Sequence, residues 1–253
     1  MQISLALGGG AARGAFHLGV IAACERLGIE IAAVSGTSIG AVIAVGVGSG
    51  VSAFDMFRLF KSRAFRKVFQ FNYFKKGILR INEKATILKE IAPIDRLEQM
   101  KIPTFVTCVD LPSGEIVRFN EGETIKLAIA SSALIPIFRP IVYENYTLID
   151  GGFMDNLPVE PLLGLSYPVV SVNLFPLNTQ PKSTIFSGLE RAIYLSILAS
   201  SKQQIEQSDL CISDSSLDDF GLFTFKQLEA CFELGYRKGC ESILTFMSQK
   251  SII

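Results

Sequence analysis

The sequence of 253 residues contains no tryptophan, a single histidine and only five cysteines. The number of cysteines is odd, their spacing is scattered and no Cys-x-x-Cys occurs, so we expect neither a disulfide framework nor a zinc site. With one histidine, His17, a Ser-His-Asp triad has only one candidate base. The chain also lacks Ser-x-x-Lys, which excludes a Ser-Lys dyad of that spacing.

Long uninterrupted apolar runs are missing too, although 49% of the residues are hydrophobic and the mean hydropathy is +0.38. No stretch reaches about 18 apolar residues without charges or helix breakers. The N-terminus has no basic region ahead of its first apolar run. We therefore expect no membrane span and no signal peptide. The expected protein is cytoplasmic, and its composition can fill one large α/β core.

The net charge is zero, with 24 basic and 24 acidic residues, but the charges are unevenly distributed. Between Val51 and Arg80, eight basic residues and one acid give this stretch a net charge of +7, so the remainder carries −7. The segment also holds eight aromatic residues, Phe54, Phe57, Phe60, Phe65, Phe69, Phe71, Tyr73 and Phe74. The basic residues are Arg58, Lys61, Arg63, Arg66, Lys67, Lys75, Lys76 and Arg80.

Two interpretations of residues 54–80 stay open. The aromatic side chains would either cover an apolar pocket while the cations stay solvated, or form a segment that contacts an anionic membrane peripherally. Nucleic acid is not an expected partner, because no RNA-binding or DNA-binding motif accompanies these residues.

The apolar pattern predicts alternating strands and helices at the start of the chain. Gln2–Leu7 and Ile29–Val34 are predicted strands, and Gly14–Leu27 and 39–47 are predicted helices. This order is typical of a mostly parallel sheet covered by helices. Further predicted strands are 104–109, 115–119, 146–149, 169–174 and 210–213, and further predicted helices are 82–99 with a break near Pro93, 124–131, 183–207 and 224–248.

The motif Gly36-Thr37-Ser38-Ile39-Gly40 fits G-x-S-x-G between a predicted strand and a predicted helix. Such a sharp turn crowds its own backbone, so glycines flank a serine whose hydroxyl projects from the sheet edge. The amide of Ile39 would then lie at a helix N-terminus, where it stabilises negative charge. Ser38 is therefore the candidate nucleophile.

A glycine loop, Gly8-Gly9-Gly10-Ala11-Ala12-Arg13-Gly14, also joins a predicted strand to a predicted helix. Its free amides could bind a phosphate or an oxyanion. The dinucleotide pattern G-x-G-x-x-G fails on spacing, and no Gly-Lys-Ser/Thr follows for a nucleoside triphosphate. Together with Ser38, the loop favours an oxyanion hole.

The base for Ser38 has two candidates. His17 lies among apolar neighbours on the first helix, a setting more typical of a packed side chain. Asp150 ends a predicted strand and precedes Gly151 and Gly152. If that strand is parallel to the others, its carboxyl end reaches the same sheet edge as Ser38. A plain Asp-Gly turn remains the alternative at this position.

These motifs together resemble the patatin-like phospholipase family. The resemblance rests on the glycine loop with Arg13-Gly14, on G-x-S-x-G within 30 residues, and on a distant Asp-Gly-Gly. The phrases Gly14–Val20, Ala130–Pro136 and Asp150–Pro158 match as well, so the similarity spans about Ile3 to Val172.

The resemblance implies a three-layer α/β fold in one domain over residues 1–253, with residues 173–253 packing on the same core. It implies Ser38 as nucleophile, Asp150 as general base and acid, and an oxyanion hole from Gly9, Gly10, Ala11, Arg13 and Ile39. The chain departs at Ala11, where many members have glycine.

The implied reaction is hydrolysis of a phospholipid or another fatty-acyl ester through an acyl-serine, without a cofactor. Thioesterase or acyltransferase activity at the same site, or a non-catalytic lipid-binding module, are the alternatives.

Overall fold

In a computed structural model, residues 1–71, 79–81, 86–176 and 187–250 are described. Their strands are β1 Gln2–Leu7, β2 Glu30–Thr37, β3 Phe69–Phe71, β4 Leu79–Ile81, β5 Thr104–Asp110, β6 Glu115–Phe119, β7 Ile141–Tyr143, β8 Tyr146–Asp150, β9 Val169–Val172 and β10 Leu210–Ile212. Their helices are α1 Gly14–Arg26, α2 Ile39–Gly48, α3 Ala53–Lys61, α4 Arg63–Arg66, α5 Thr86–Ile91, α6 Thr124–Ser131, α7 Ser187–Gln207 and α8 Leu228–Lys250.

The main sheet has eight strands in the order β10-β9-β1-β2-β5-β8-β7, with β6 paired to β5. The five strands from β10 to β5 are mutually parallel. The three remaining strands, β6, β8 and β7, are joined by antiparallel pairing. The predicted mostly parallel α/β sheet is thereby confirmed.

Both faces of the sheet are covered. Along β1, the buried side chains of Leu5 and Leu7 belong to a core cluster that also holds residues of α1, α2 and α8. Ala6 points the other way, into a second cluster with Leu157 and Leu162, against which Ile205 of α7 packs. Since successive strand side chains alternate between faces, the sheet is the middle one of three layers.

Two strands, β2 and β8, pair with successive parts of one edge of β5, and this brings the candidate site residues together. Its register pairs Thr104–Thr107 with β2 and Cys108–Asp110 with β8, while β6 pairs with 106–110. Because β6 overlaps both partners, it must occupy the opposite edge. Strands β2 and β8 therefore share one edge of β5 and point toward each other. Thr37 lies opposite Thr107, and Asp150 lies opposite the next residue, Cys108.

Several predicted elements differ from the observed ones. Strand β7 was not predicted, and it forms a short hairpin with β8. The predicted helix 82–99 has the expected break near Pro93, but it is shorter than predicted, with α5 before the break and only a 3-10 turn at Leu97–Gln99 after it. Within the described ranges, no helix is long and apolar enough to cross a membrane.

Candidate active site

Ser38 sits in a strained turn between β2 and α2. Its backbone has φ 56° and ψ −124°, a region that residues other than glycine rarely adopt. A Cβ on Gly36 would lie 2.3 Å from the carbonyl oxygen of Gly40, and one on Gly40 would lie 2.1 Å from that of Leu7. The two motif glycines are thus required by close backbone contacts. The turn holds the half-buried Ser38 at the carboxyl end of β2.

Asp150 contacts Ser38, the candidate nucleophile, directly. The hydroxyl of Ser38 donates to Oδ2 of Asp150 at 2.7 Å, and the amide of Gly152 donates to Oδ1 at 2.8 Å. Asp150 is 4% exposed, and this burial raises its pKa to about 6 against the two hydrogen bonds. The carboxylate is thus fixed in position and a stronger base than an exposed aspartate.

The route by which Asp150 reaches Ser38 differs from the prediction. We expected a parallel strand whose carboxyl end joins the others, but β8 runs antiparallel to β5. Strand β5 continues for three residues after Thr107, and β8 pairs with these three residues in the antiparallel direction. The carboxyl end of β8, with Asp150, therefore points toward the carboxyl end of β2. Ser38 and Asp150 therefore meet at the facing ends of β2 and β8.

The glycine loop offers fewer free amides than predicted. The amide of Gly9 donates to the carbonyl of Asn156 at 3.0 Å, and that of Arg13 donates to Gly10 at 3.1 Å. Among the described residues, the amides of Gly10 and Ala11 have no acceptor, and neither has that of Ile39, the first residue of α2. Of the predicted donors, the amides of Gly9 and Arg13 are thus engaged elsewhere, and those of Gly10, Ala11 and Ile39 are available; the oxyanion hole itself stays a prediction.

The side chain of Arg13 also has a role other than the predicted one. It is buried, its Nε donates to the carbonyl of Phe220 at 2.8 Å and its Nη1 to that of Leu174 at 3.0 Å. Its Nη2 lies 3.4 Å from Oδ1 of Asp218. The guanidinium therefore ties the glycine loop to the later part of the chain.

His17 is a packed side chain. It is fully buried and its Nε2 donates to the carbonyl of Gly8 at 2.7 Å. Burial lowers its pKa to about 4, so the ring is neutral at pH 7. Because Nε2 is bound to the loop backbone, it does not serve Ser38.

Ser131 is a site residue whose role the sequence reasoning missed. Its hydroxyl donates to the carbonyl of Thr107 at 2.6 Å and accepts the amide of Ser38 at 2.9 Å. It thereby fixes the nucleophile turn to β5. The only signal in the sequence was its place in the phrase Ala130–Pro136.

An apolar pocket lies beside Ile39, the residue after Ser38. It has a volume of about 10 Å³, room for one water-sized molecule. Its lining is aliphatic and aromatic throughout, consisting of Leu18, Ile39, Val42, Ile43, Met56, Phe60, Phe65 and Ile91. Helices α3 and α4 supply three of these side chains, so the segment that begins at Phe54 forms part of a pocket wall.

The rest of the aromatic and basic segment is partly described. Phe57 stacks on Phe232 at 4.3 Å between ring centroids, whereas Phe54 remains 62% exposed. Arg63, Arg66 and Lys67 are exposed. Tyr73, Phe74, Lys75 and Lys76, together with the side chains of Phe69, Phe71 and Arg80, lie outside the described residues.

The sequence of this chain is similar to those of known proteins. The family model described as patatin-like phospholipase matches residues 5–163. An uncharacterized NTE family protein of Mycobacterium tuberculosis (strain ATCC 25618 / H37Rv) is 32% identical over 169 residues, which cover 65% of this chain and 46% of that protein. Lysophospholipase NTE1 of Mycosarcoma maydis is 32% identical over 181 residues, 65% of this chain and 9% of that protein. The chain thus spans less than half the length of these relatives.

Among solved structures, VipD from Legionella pneumophila superimposes with a TM-score of 0.59. The alignment covers 96% of this chain and 67% of VipD at 14% identity. At that identity the likeness concerns the fold alone.

Proposed function

Since the chain belongs to the patatin-like phospholipase family, we propose that it hydrolyses fatty-acyl esters of lipids, with Ser38 as nucleophile and Asp150 as general base and acid. The name lysophospholipase carried by relatives such as the Mycosarcoma maydis protein supports a lipid ester as substrate. The observation that carries the proposal is the 2.7 Å hydrogen bond from the Ser38 hydroxyl to Asp150, made on a strained turn beside free amides.

The reaction proceeds through an acyl-serine. Asp150 accepts the hydroxyl proton as Ser38 Oγ bonds to the ester carbonyl carbon. The carbonyl oxygen becomes an oxyanion, to which the amides of Gly10, Ala11 and Ile39 are the available donors; each such donor is typically worth about 3 kcal/mol. Asp150 then gives the proton to the departing alkoxide. Water next attacks the acyl-serine, with Asp150 accepting its proton and returning it to Ser38 Oγ.

An ester suits this pair better than an amide does. An alkoxide leaves more readily than an amine anion, and a carboxylate whose pKa is about 6 remains a modest base. Burial that lifts the pKa of Asp150 toward the working pH favours proton transfer without a histidine.

The pocket beside Ile39 is the proposed site for the acyl chain. Its wholly apolar lining fits a hydrocarbon, and its position next to the nucleophile turn directs the chain away from water. With a volume of about 10 Å³, it must widen by movement of its walls when a chain enters.

Peripheral contact with an anionic membrane belongs to the same proposal. Exposed Phe54, Arg63 and Arg66 lie on the helices that wall the pocket, and exposed Lys67 directly follows α4. Each lysine or arginine near an anionic surface contributes about 1 kcal/mol. Docking through this surface would present the acyl pocket to lipid.

Substitution of the nucleophile tests the proposal. Ser38→Ala removes the attacking oxygen, so hydrolysis of p-nitrophenyl acyl esters should fall to background while the melting temperature stays near that of the wild type. Labelling of the wild type by a fluorophosphonate probe, and none of the variant, distinguishes an enzyme from a non-catalytic lipid-binding module. Activity within tenfold of the wild type would refute Ser38 as nucleophile.

The alternatives that use the same residues are separated by their products. A phospholipase releases free fatty acid, an acyltransferase moves the acyl group to an added alcohol, and a thioesterase prefers acyl thioesters. A panel of these substrates with purified protein, with Ser38→Ala as the blank, assigns the acceptor and the leaving group.

A further inference from the structure

Asn156 lies between the two glycine motifs of the site. Its main-chain carbonyl accepts the amide of Gly9 at 3.0 Å, so the residue is tied to the glycine loop. It also follows the Asp150-Gly151-Gly152 turn by a few residues. Asn156 is 1% exposed, which makes its carboxamide one of the few buried amide side chains of the protein.

Both motifs leave room for this carboxamide. A Cβ on Gly9 would lie 2.5 Å from Oδ1 of Asn156, and a Cβ on Gly152 would lie 2.9 Å from the same atom. No other heavy atom lies as close to either of these Cβ positions. The absence of a side chain at Gly9 and Gly152 is therefore required by the carboxamide that fills the space.

The same two positions connect the carboxamide to the catalytic pair. The Cβ position on Gly9 is 3.2 Å from Cβ of Ser38, and the one on Gly152 is 3.0 Å from Oδ1 of Asp150. Oδ1 of Asn156 therefore lies near both Ser38 and Asp150.

One end of the carboxamide has no protein partner. Nδ2 of Asn156 is buried and makes no hydrogen bond within the described part of the chain. A buried polar atom without a partner costs about 1–3 kcal/mol, so such atoms are uncommon unless a ligand satisfies them. A half-turn about the terminal torsion exchanges the nitrogen and oxygen positions at small cost. In the exchanged orientation the NH2 group takes the position of Oδ1, and a donor then lies beside Ser38 and Asp150.

We propose that the Asn156 carboxamide is a further catalytic group, which donates a hydrogen bond to an oxygen of the ester as the tetrahedral intermediate forms at Ser38. The inference rests on the proposed acyl hydrolysis. It adds a side-chain donor to the backbone amides of Gly10 and Ala11, on the side of the site that faces Gly152.

Two substitutions test this role in the full chain with p-nitrophenyl butyrate as substrate. Asn156→Ala removes the donor, while its main-chain carbonyl still accepts Gly9. Loss of one such donor lowers kcat about 100-fold or more, and KM should stay within about threefold because the bond strengthens only in the transition state. Asn156→Asp keeps the shape and decides the matter if the alanine variant does not fold.

The aspartate variant gives a second readout. A new carboxylate beside Asp150 raises the pKa of that residue, so the acid limb of the kcat/KM profile should move to higher pH. Asn145→Asp makes the same change at an exposed hairpin position and should leave kcat and the profile unaltered. A merely structural role for Asn156 would lower the melting temperature of Asn156→Ala without lowering kcat of the folded protein.

The outcomes separate the two proposals. If the wild type hydrolyses the ester and Ser38→Ala does not, the proposed function stands. In that case a kcat of Asn156→Ala within threefold of the wild type, or a change in KM alone, overturns the role of Asn156. If the wild type itself shows no acyl hydrolysis and no fluorophosphonate labelling, the proposed function fails and the role of Asn156 fails with it.

Discussion

At the scale of single residues, the environment of Asp150 sets the pH dependence. Its carboxylate form is the base, and burial raises its pKa to about 6. We expect kcat/KM to fall as the pH drops below about 6, with one proton taken up. A pH–rate profile from pH 4 to 9 measures this limb. A limb near pH 4 would mean that Asp150 is solvated like an ordinary aspartate.

The same burial predicts that Asp150 lowers the stability of the protein at neutral pH. The folded state keeps the proton of Asp150 up to about pH 6, whereas the unfolded chain loses it near 3.9, so stability falls as the pH rises between these values. Asp150→Asn removes this cost of up to about 3 kcal/mol. The variant should be inactive yet melt higher than the wild type at pH 8, with the difference vanishing near pH 4 by calorimetry.

His17→Gln should retain most of the activity. The glutamine amide can donate to the carbonyl of Gly8 as Nε2 of His17 does, and no proton transfer depends on a neutral ring whose pKa is about 4. Ester hydrolysis at pH 7 and 8 measures the effect, with Asp150→Asn for comparison. A loss equal to that of the aspartate variant would contradict a Ser-Asp pair.

Ser38 could be proposed as the nucleophile from the sequence because its turn motif is local, whereas Asp150 was proposed from the family resemblance, since a plain Asp-Gly turn also explained its position. Which amides of the glycine loop are free could not be inferred from the sequence, because that depends on distant acceptors. The amide of Gly9 donates to the carbonyl of Asn156, and the side chain of Arg13 donates to that of Phe220. No local sequence pattern indicates either contact.

At the scale of elements, the strands and helices near the N-terminus followed from apolar spacing and glycine stops. Helix α1 ends before Gly28, whose φ of +66° is the conformation that such a stop requires. The direction of β8 did not follow, because Asp-Gly-Gly can end a strand of either direction. Strand β7 is too short for a periodic signal, with three residues.

The exposed cations of α4 and the residue after it should bind anionic vesicles. We expect flotation of the wild type with vesicles that contain phosphatidylglycerol, weakened by salt and by Arg63→Glu, Arg66→Glu and Lys67→Glu together. The substituted side chains are exposed, so folding should be unaffected.

A charge-matched control uses Lys89→Glu, Lys202→Glu and Arg237→Glu, also at exposed positions. This control should float like the wild type, because the docking surface remains intact. Equal binding of both triple variants, or no binding by the wild type, would leave α3 and α4 as a pocket wall only.

At the scale of the whole molecule, the part of the chain beyond the family match packs tightly on the part within it. Where α8 crosses α1, a Cβ on Gly235 would lie 2.2 Å from the carbonyl oxygen of Phe16, and one on Gly19 would lie 2.1 Å from that of Phe232. Arg13 adds polar ties to Leu174, Phe220 and Asp218. We propose that residues 1–253 unfold as one unit.

Gly235→Ala tests this unity. The added methyl meets backbone, so the two helices must separate, at a cost of about 1–3 kcal/mol despite the better helix propensity of alanine. The whole molecule should then melt at a lower temperature in a single transition. Gly164→Ala meets no atom within 4 Å and serves as the control. A second, unshifted transition would mean that the C-terminal part folds separately.

Because Ser38 and Asp150 lie at the facing ends of β2 and β8, enzymatic activity should depend on the register in which β8 pairs with β5. Asp150, the proposed base, lies on a strand that pairs with β5 through only three residues, 148–150. A slip by one residue would point the Asp150 side chain to the opposite face of the sheet, while the content of β structure would hardly change. A refolded sample could thus have a native circular dichroism spectrum and remain inactive. Specific activity, not spectroscopy, would then report whether the β7–β8 hairpin pairs with β5 in the native register.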